Sequence, residues 1–256
     1  MESQTQTQPT KPAAVQLFVT CIIETLRPQA GISVVKVLEK CGIEVLFPQG
    51  QTCCGQPAYN AGAWKDAREM AKYTLDVLSC SPMPIVVPSG SCADMIVHQY
   101  PALFANDPVY AAKAQDVAAR TYEFAQFLVD VLGLEWVLQH ITPAATEQGK
   151  IAYHPSCHLL RGLNVSHQPQ TLLKTVAHAE MVDIPNATEC CGFGGLFAIK
   201  MSDISGAMLN RKLDHITASG AKTLVGCDAS CLLHIGGGLH RHGCDIQVKH
   251  IAEVLI

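Results

Sequence analysis

The sequence predicts an α/β protein made of two similar modules, each with a mostly parallel sheet, related by pseudo-twofold symmetry. Three observations carry this expectation. Eight of the twelve cysteines fall into two matching sets, Cys21, Cys53, Cys54, Cys92 and Cys157, Cys190, Cys191, Cys231, at offsets of 136, 137, 137 and 139 residues. Around both sets, short apolar runs alternate with segments of helical periodicity in the same order. At 256 residues and 48% hydrophobic, the chain is long enough to bury one large core or two smaller ones that share an interface.

Residues 1–14 (MESQTQTQPTKPAA) are polar and read as a disordered tail; lacking an apolar h-region, they are not a signal peptide. The first module, 15–140, opens with the strand VQLFVT, followed by a helix carrying Val34, Val35 and Leu38, with Cys41-Gly42 as its stop. IEVLF is the second strand. A helix starts after the CCG turn, and between Ala61 and Leu78 the residues Ala67, Met70, Ala71, Leu75 and Leu78 recur at helical spacing. Ile85-Val86-Val87, beyond a Pro-rich turn, is a buried strand. Gly133, Pro143 and a polar patch within 133–149 place the module boundary.

The second module, 150–256, repeats the order: strand Lys150–Tyr153, a helix through Leu172–Ala177, strand Glu180–Ile184, helix Ser202–Ala218 and strand Lys222–Val225. Phe47-Pro48 before the first cysteine pair matches Ile184-Pro185 before the second at an offset of 137. The apolar spacing of Tyr122–Leu128 resembles that of His250–Leu255. Alternating strands and helices give parallel sheets covered on both faces, so each module is expected to be Rossmann-like.

A net charge of −4 with no basic run gives no footprint for nucleic acid. No stretch reaches the roughly 18 apolar residues of a transmembrane span. A cytoplasmic location follows as the expectation, and there clustered thiols more often hold metal than form disulfides. GFGG (Gly192–Gly195) and Gly236-Gly237-Gly238 lack dinucleotide spacing, and no Walker, HExxH or GxSxG motif occurs, so no nucleotide is expected.

Every cysteine of the two sets follows a predicted strand, and loops at the carboxyl ends of parallel strands converge on a crevice. Thiolates suit zinc, copper(I) or iron-sulfur clusters. Structural zinc usually takes two short C-x2-4-C knuckles. Here the sets are C-x31-CC-x37-C and C-x32-CC-x39-C, and each adjacent pair precedes a glycine that lets backbone approach an inorganic core. Two neighbouring side chains straddle a polynuclear cluster more readily than one ion. A non-redox zinc scaffold and a thiol-disulfide reductase using Cys53-Cys54 or Cys190-Cys191 remain as alternatives, the latter disfavoured by the strain of a vicinal disulfide.

With FPQGQTCCGQPAYN, VVPSGSCADM, YHPSCHLLRG, ECCGFGG and CLLHIGGGL, the sequence from Val15 to Ile256 resembles the lactate utilization protein A family. More broadly it resembles the duplicated CCG domains found in the catalytic subunit of heterodisulfide reductase, in the glycolate oxidase iron-sulfur subunit and in glycerol-3-phosphate dehydrogenase. The resemblance implies an iron-sulfur electron-transfer subunit that works with two partner proteins to oxidise L-lactate to pyruvate. It also implies one or two 4Fe-4S clusters held by the eight cysteines; because exposed clusters are oxygen-labile, protein handled in air is expected to lack them or to carry zinc in their place. The wider pattern ends in CxxC, whereas Ser89 and Asp228 stand three residues before Cys92 and Cys231. Four thiolates per site are therefore expected, completed by an oxygen ligand or left open for substrate.

His154 and His158 flank Cys157, and His234 follows Cys231; each is a candidate for ligation, proton donation or a hydrogen bond to the centre. Arg161 would suit a carboxylate or offset cluster charge. Cys227, beside Asp228, is a candidate for the second site, while Cys41 and Cys80 are expected to be buried, unreactive thiols and Cys244 structural.

Overall fold

The computed structural model describes residues 11–142 and 149–256; residues 1–10 of the expected tail and Pro143 of the expected boundary lie outside the described residues. The first half runs through β1 (Ala14–Leu17), α1 (Cys21–Leu26), α2 (Pro28–Lys40), β2 (Glu44–Leu46), α3 (Gln56–Asn60), α4 (Trp64–Leu78), β3 (Ile85–Val87), α5 (Gly90–Asp94), α6 (Tyr100–Leu103), α7 (Tyr110–Ala119) and β4 (Thr121–Glu123). A π-helical turn, Met95–Gln99, joins α5 to α6. There the Tyr100 N–H reaches back to the Met95 carbonyl, and Pro101 has no N–H with which to continue the ordinary ladder.

Helices α8 (Phe124–Gln126) and α9 (Leu134–His140) lead into the second half. It contains β5 (Lys150–His154), α10 (His167–Thr171), β6 (Glu180–Val182), α11 (Phe197–Lys200), α12 (Ser202–Ala218), β7 (Thr223–Gly226), α13 (Ala229–Arg241) and β8 (Gln247–His250). The two four-stranded sheets have orders β2-β1-β3-β4 and β6-β5-β7-β8, and every strand pair is parallel.

The registers superpose. Gln16 pairs with Ile85 as Ala152 pairs with Leu224, and Val87 pairs with Glu123 as Gly226 pairs with His250. These pairings make Phe18 the counterpart of His154, Ile22 of His158, and Ser89 of Asp228. They also shift the match near the chain ends by one residue: Glu123 corresponds to His250. Both residues cap the turn that follows through a capping box, Glu123 with Gln126 and His250 with Glu253.

Helix α12 and the strand at 85–87 match the sequence expectation, whereas two elements differ from it. VQLFVT leaves the sheet after Leu17, and Cys21 opens a helix of its own. The expected helix from Ala61 starts only at Trp64, because Gly62 takes a φ of +78°. The triple glycine lies inside α13, where a Cβ on Gly238 would meet the Leu213 side chain at 2.8 Å, so its smallness serves packing against α12. One apolar cluster draws on both halves, with Val15, Leu17, Phe124 and Leu128 packed among Ile151, Val225, Ile251 and Leu255. The faces between the halves are therefore core, and each half adds a cluster of its own.

Candidate metal centre

The carboxyl ends of the strands carry both cysteine sets. Cys21 starts α1 after β1, Cys53 and Cys54 precede α3, and Cys92 lies in α5 after β3; Cys157, Cys190, Cys191 and Cys231 repeat the arrangement. Gly55 and Gly192, at φ +85° and +87°, turn the chain after each pair. A Cβ on Gly192 would approach the Ser205 carbonyl to 2.7 Å, so the CCG loop lies directly against α12.

Within each half the four sulfurs form a string. In the first half Cys21 and Cys54 both act electrostatically on the neighbouring Cys53, and the Cys54 thiol donates to the Cys92 sulfur at 3.4 Å. In the second half Cys157 and Cys191 act on Cys190 in the same way, and the Cys191 thiol donates to the Cys231 sulfur at 3.3 Å. No disulfide forms, and all these thiols are free. The Cys21 thiol, with help from Cys54, holds Cys53 far below the ordinary thiol range at about 3. Cys157, with Cys191, does the same for Cys190, at about 2, and the Gly192 N–H adds a contact of 3.4 Å. The partner thiols are raised correspondingly.

The strings line two adjoining pockets that share Gln56, Ser91, Phe193, Gly195 and Ser230 as a common wall. Immediately before the first cysteine of each set stands a buried hydroxyl without a hydrogen-bond partner, Thr20 in one pocket and Ser156 in the other. Thr20 also takes a φ of +73°, a strained conformation for a β-branched residue. Paired orphan hydroxyls beside paired thiol strings fit a thiolate-bound group that accepts hydrogen bonds at its sulfurs.

The two halves are tied together at these pockets. The Asp228 carboxylate accepts the N–H of Ser230 at 3.2 Å in its own half and the N–H of Ser91 at 2.8 Å in the other. Ser89 Oγ donates to it at 3.4 Å, and so does Ser230 Oγ. The two departures from the CxxC pattern thus bond to each other. His158 places Nδ1 2.7 Å from Asp94 Oδ2 and Nε2 3.1 Å from Gln56 Nε2. Asp94 keeps a lowered pKa despite burial because His158 and His98 both face it. Its counterpart in the second half is Leu233, so this polar tie exists on one side only.

His154 is buried, and burial lowers its pKa to about 4. Its ring lies with Cys191 and Cys231 in the one group, among the described residues, whose ligand atoms all fall within 4.8 Å of one another. His234 packs against the Phe193 ring at 5.7 Å between centroids. Arg161 turns outward and donates to the Thr188 carbonyl at 3.0 Å. Cys227 does not line the second pocket; it is buried in the shared core 3.8 Å from the Tyr153 hydroxyl, and burial raises its pKa. Cys41 is buried and raised to about 11 by desolvation, whereas Cys80 is exposed, contrary to expectation, because it lies just past the end of α4. Cys244 is half-buried.

Sequence reasoning missed Asp94, Gln56 and Lys212. Lys212 is fully buried in α12 and donates to the Ala187 carbonyl at 2.9 Å, which sets a cation near Cys190 and Cys191. Its place in a helical apolar stripe was the available signal.

Paired parallel sheets with a CCG loop in each define a class, the duplicated cysteine-rich proteins, and the CCG cysteine-rich domain model matches residues 15–97 and 151–236. Lactate utilization protein A 2 of Bacillus cereus is 45% identical over 94% of this chain and 97% of its own length. Lactate utilization protein A of a Geobacillus species is 46% identical over 94% and 98%. The chain belongs to the lactate utilization protein A family. Among solved structures, a glutamate racemase of Bacillus anthracis aligns over 97% of this chain and 79% of its own at a TM-score of 0.34 and 12% identity, too distant to bear on the chemistry. Among the described residues, no helix is long and apolar enough to cross a membrane.

Proposed function

We propose that the chain is an iron-sulfur electron-transfer subunit of a complex oxidising L-lactate to pyruvate. In this reading Cys21, Cys53, Cys54 and Cys92 hold one 4Fe-4S cluster, and Cys157, Cys190, Cys191 and Cys231 hold a second. The string of four sulfurs in each half carries it. A single ion bound by four thiolates at about 2.3 Å needs every sulfur pair within roughly 4 Å. In the first half no three of the described cysteines bring their sulfurs within 4.8 Å of one another, which suits an object wider than one ion.

Bound clusters would supply one-electron acceptor sites. The chain's own residues would hold them: thiolates as ligands, Thr20 and Ser156 as hydroxyl donors to sulfur, and Lys212 as a charge offset in the second half. Lactate enters through the names of the relatives. The two partner proteins belong to the proposal as well, since the described residues offer no flavin or nucleotide motif with which to take a hydride from lactate.

Anaerobic reconstitution tests the reading. Two clusters give about eight iron and eight acid-labile sulfide per chain. With the partner proteins present, L-lactate should then reduce the centres, seen as a change in the electron paramagnetic resonance spectrum. Stoichiometric zinc without sulfide, or iron that L-lactate never reduces, would overturn it.

A further inference from the structure

We propose that His154 supplies a nitrogen ligand to the metal centre of the second half, so that the two centres differ: thiolates alone in the first, thiolates and one imidazole in the second. The inference rests on the reading of the cysteines as metal ligands.

His154 is only 1% exposed, and neither Nδ1 nor Nε2 has a hydrogen-bond partner. An unsatisfied buried polar atom is destabilising, and native interiors rarely leave both nitrogens of one ring in that state. A ligand bond to one nitrogen removes half of the deficit. The position suits such a bond: a ring nitrogen and the sulfurs of Cys191 and Cys231 all lie within 4.8 Å of one another. A nitrogen and a sulfur bound to the same metal atom, at about 2.0 and 2.3 Å, lie at most roughly 4.3 Å apart, so after a small side-chain shift the imidazole can reach a metal atom held by Cys191 or by Cys231.

Competing donors are already engaged or badly placed. Asp228 accepts from Ser91 and Ser230, and His158 is held between Asp94 and Gln56. His234 also has an unpartnered Nε2, but it lies outside the compact group. The register gives the contrast within the molecule. The counterpart of His154 is Phe18, buried to the same 1% exposure and without a donor atom. The first half therefore cannot form the same centre, and the exchange of phenyl for imidazole keeps the packing volume. Nitrogen ligation raises the reduction potential of an iron-sulfur centre relative to all-thiolate ligation.

The full chain carrying Cys53→Ser and Cys54→Ser isolates the second centre. Reconstituted with iron and sulfide, reduced and measured by pulsed electron paramagnetic resonance, it should show a nitrogen hyperfine coupling that changes isotope with 15N-histidine labelling. His154→Phe, which copies the residue packed at position 18, should abolish the coupling, and His154→Cys should keep the iron without it. Iron and sulfide bound with no histidine coupling, or a coupling that survives in His154→Phe, overturns the inference and leaves the cluster reading standing. If iron and sulfide do not load, cobalt(II) is the probe. A cobalt-shifted imidazole N–H resonance lost in His154→Phe supports the inference while the cluster reading fails, and failure of both metals to bind overturns both.

Discussion

The backbone N–H of Ser91 donates to Asp228 Oδ2 at 2.8 Å, across the interface between the halves. Because Asp228 also caps α13 through the Ser230 N–H, one carboxylate holds the helix bearing Cys92 and the helix bearing Cys231. Its counterpart, Ser89, has a side chain too short to do the same and instead donates to Asp228. At this point the pseudo-symmetry is broken by one residue whose carboxylate ties the two cysteine-bearing helices together.

Asp228→Ser should uncouple the halves. The substitution removes two backbone hydrogen bonds from a residue 2% exposed, and loss of a cap together with an orphaned buried donor costs about 2–4 kcal/mol. Asp228→Asn keeps one acceptor oxygen and should cost about half as much. Urea unfolding followed by far-ultraviolet circular dichroism measures both, and a change below 0.5 kcal/mol, a rough limit for surface substitutions, would show that the carboxylate does not bear this load.

Both cysteine sets and the strand-helix alternation were legible in the sequence because they are local patterns: adjacent cysteines, a glycine after them, and the apolar period of α12. The ties between the halves were not. Asp94 meets His158 across 64 residues of chain, and nothing in the spacing of either residue announces the other. Helix α1 was hidden for a different reason. The strand read from the sequence, VQLFVT, ends at Thr20, and nothing in the apolar residues beyond it announces the positive-φ turn at Thr20 from which α1 starts. Cys80 shows the limit of hydropathy near a helix end, where one step of rotation decides between core and solvent.

Glu123 and His250 occupy the same cap in the two halves, yet their titrations oppose each other. Burial raises Glu123 to about 8, so its contribution is complete below the unfolded value near 4.5 and is lost as pH rises towards 8. Burial lowers His250 to about 4, so its contribution is complete above 6.5 and is lost as pH falls towards 4. Each slope is about 1.4 kcal/mol per pH unit within its window. Unfolding free energies measured from pH 4 to 8 should show that Glu123→Gln removes the alkaline decline and His250→Gln the acidic one. Parallel curves for wild type and either variant would contradict the assignment.

Gly90 lies where α5 crosses the turn after Cys157. A Cβ there would come within 2.7 Å of the Leu159 Cβ and 3.2 Å of its backbone, so Gly90→Ala must push the halves apart. Overpacking of this kind costs about 1–3 kcal/mol. The melting temperature should fall, and the Gly90 N–H bond to the Cys227 carbonyl, 3.3 Å in the native protein, should exchange faster with deuterium. An unchanged melting temperature would mean that the contact yields without strain.

Cys54→Ser and Cys191→Ser should each remove one centre and leave the other. Both thiols are buried at the middle of their strings, where each contacts two further sulfurs, so no other cysteine can substitute for either. The fold should persist, since the large apolar cluster shared by the halves contains neither residue and each is a single small member at the edge of its own half's cluster. Each variant, reconstituted anaerobically, is expected to carry about half the wild-type iron and sulfide with an unchanged far-ultraviolet spectrum. The two halves should also leave different signals behind: Cys54→Ser retains the centre beside His154, and Cys191→Ser the centre beside Phe18. Full iron in either variant would remove that cysteine from the ligand set.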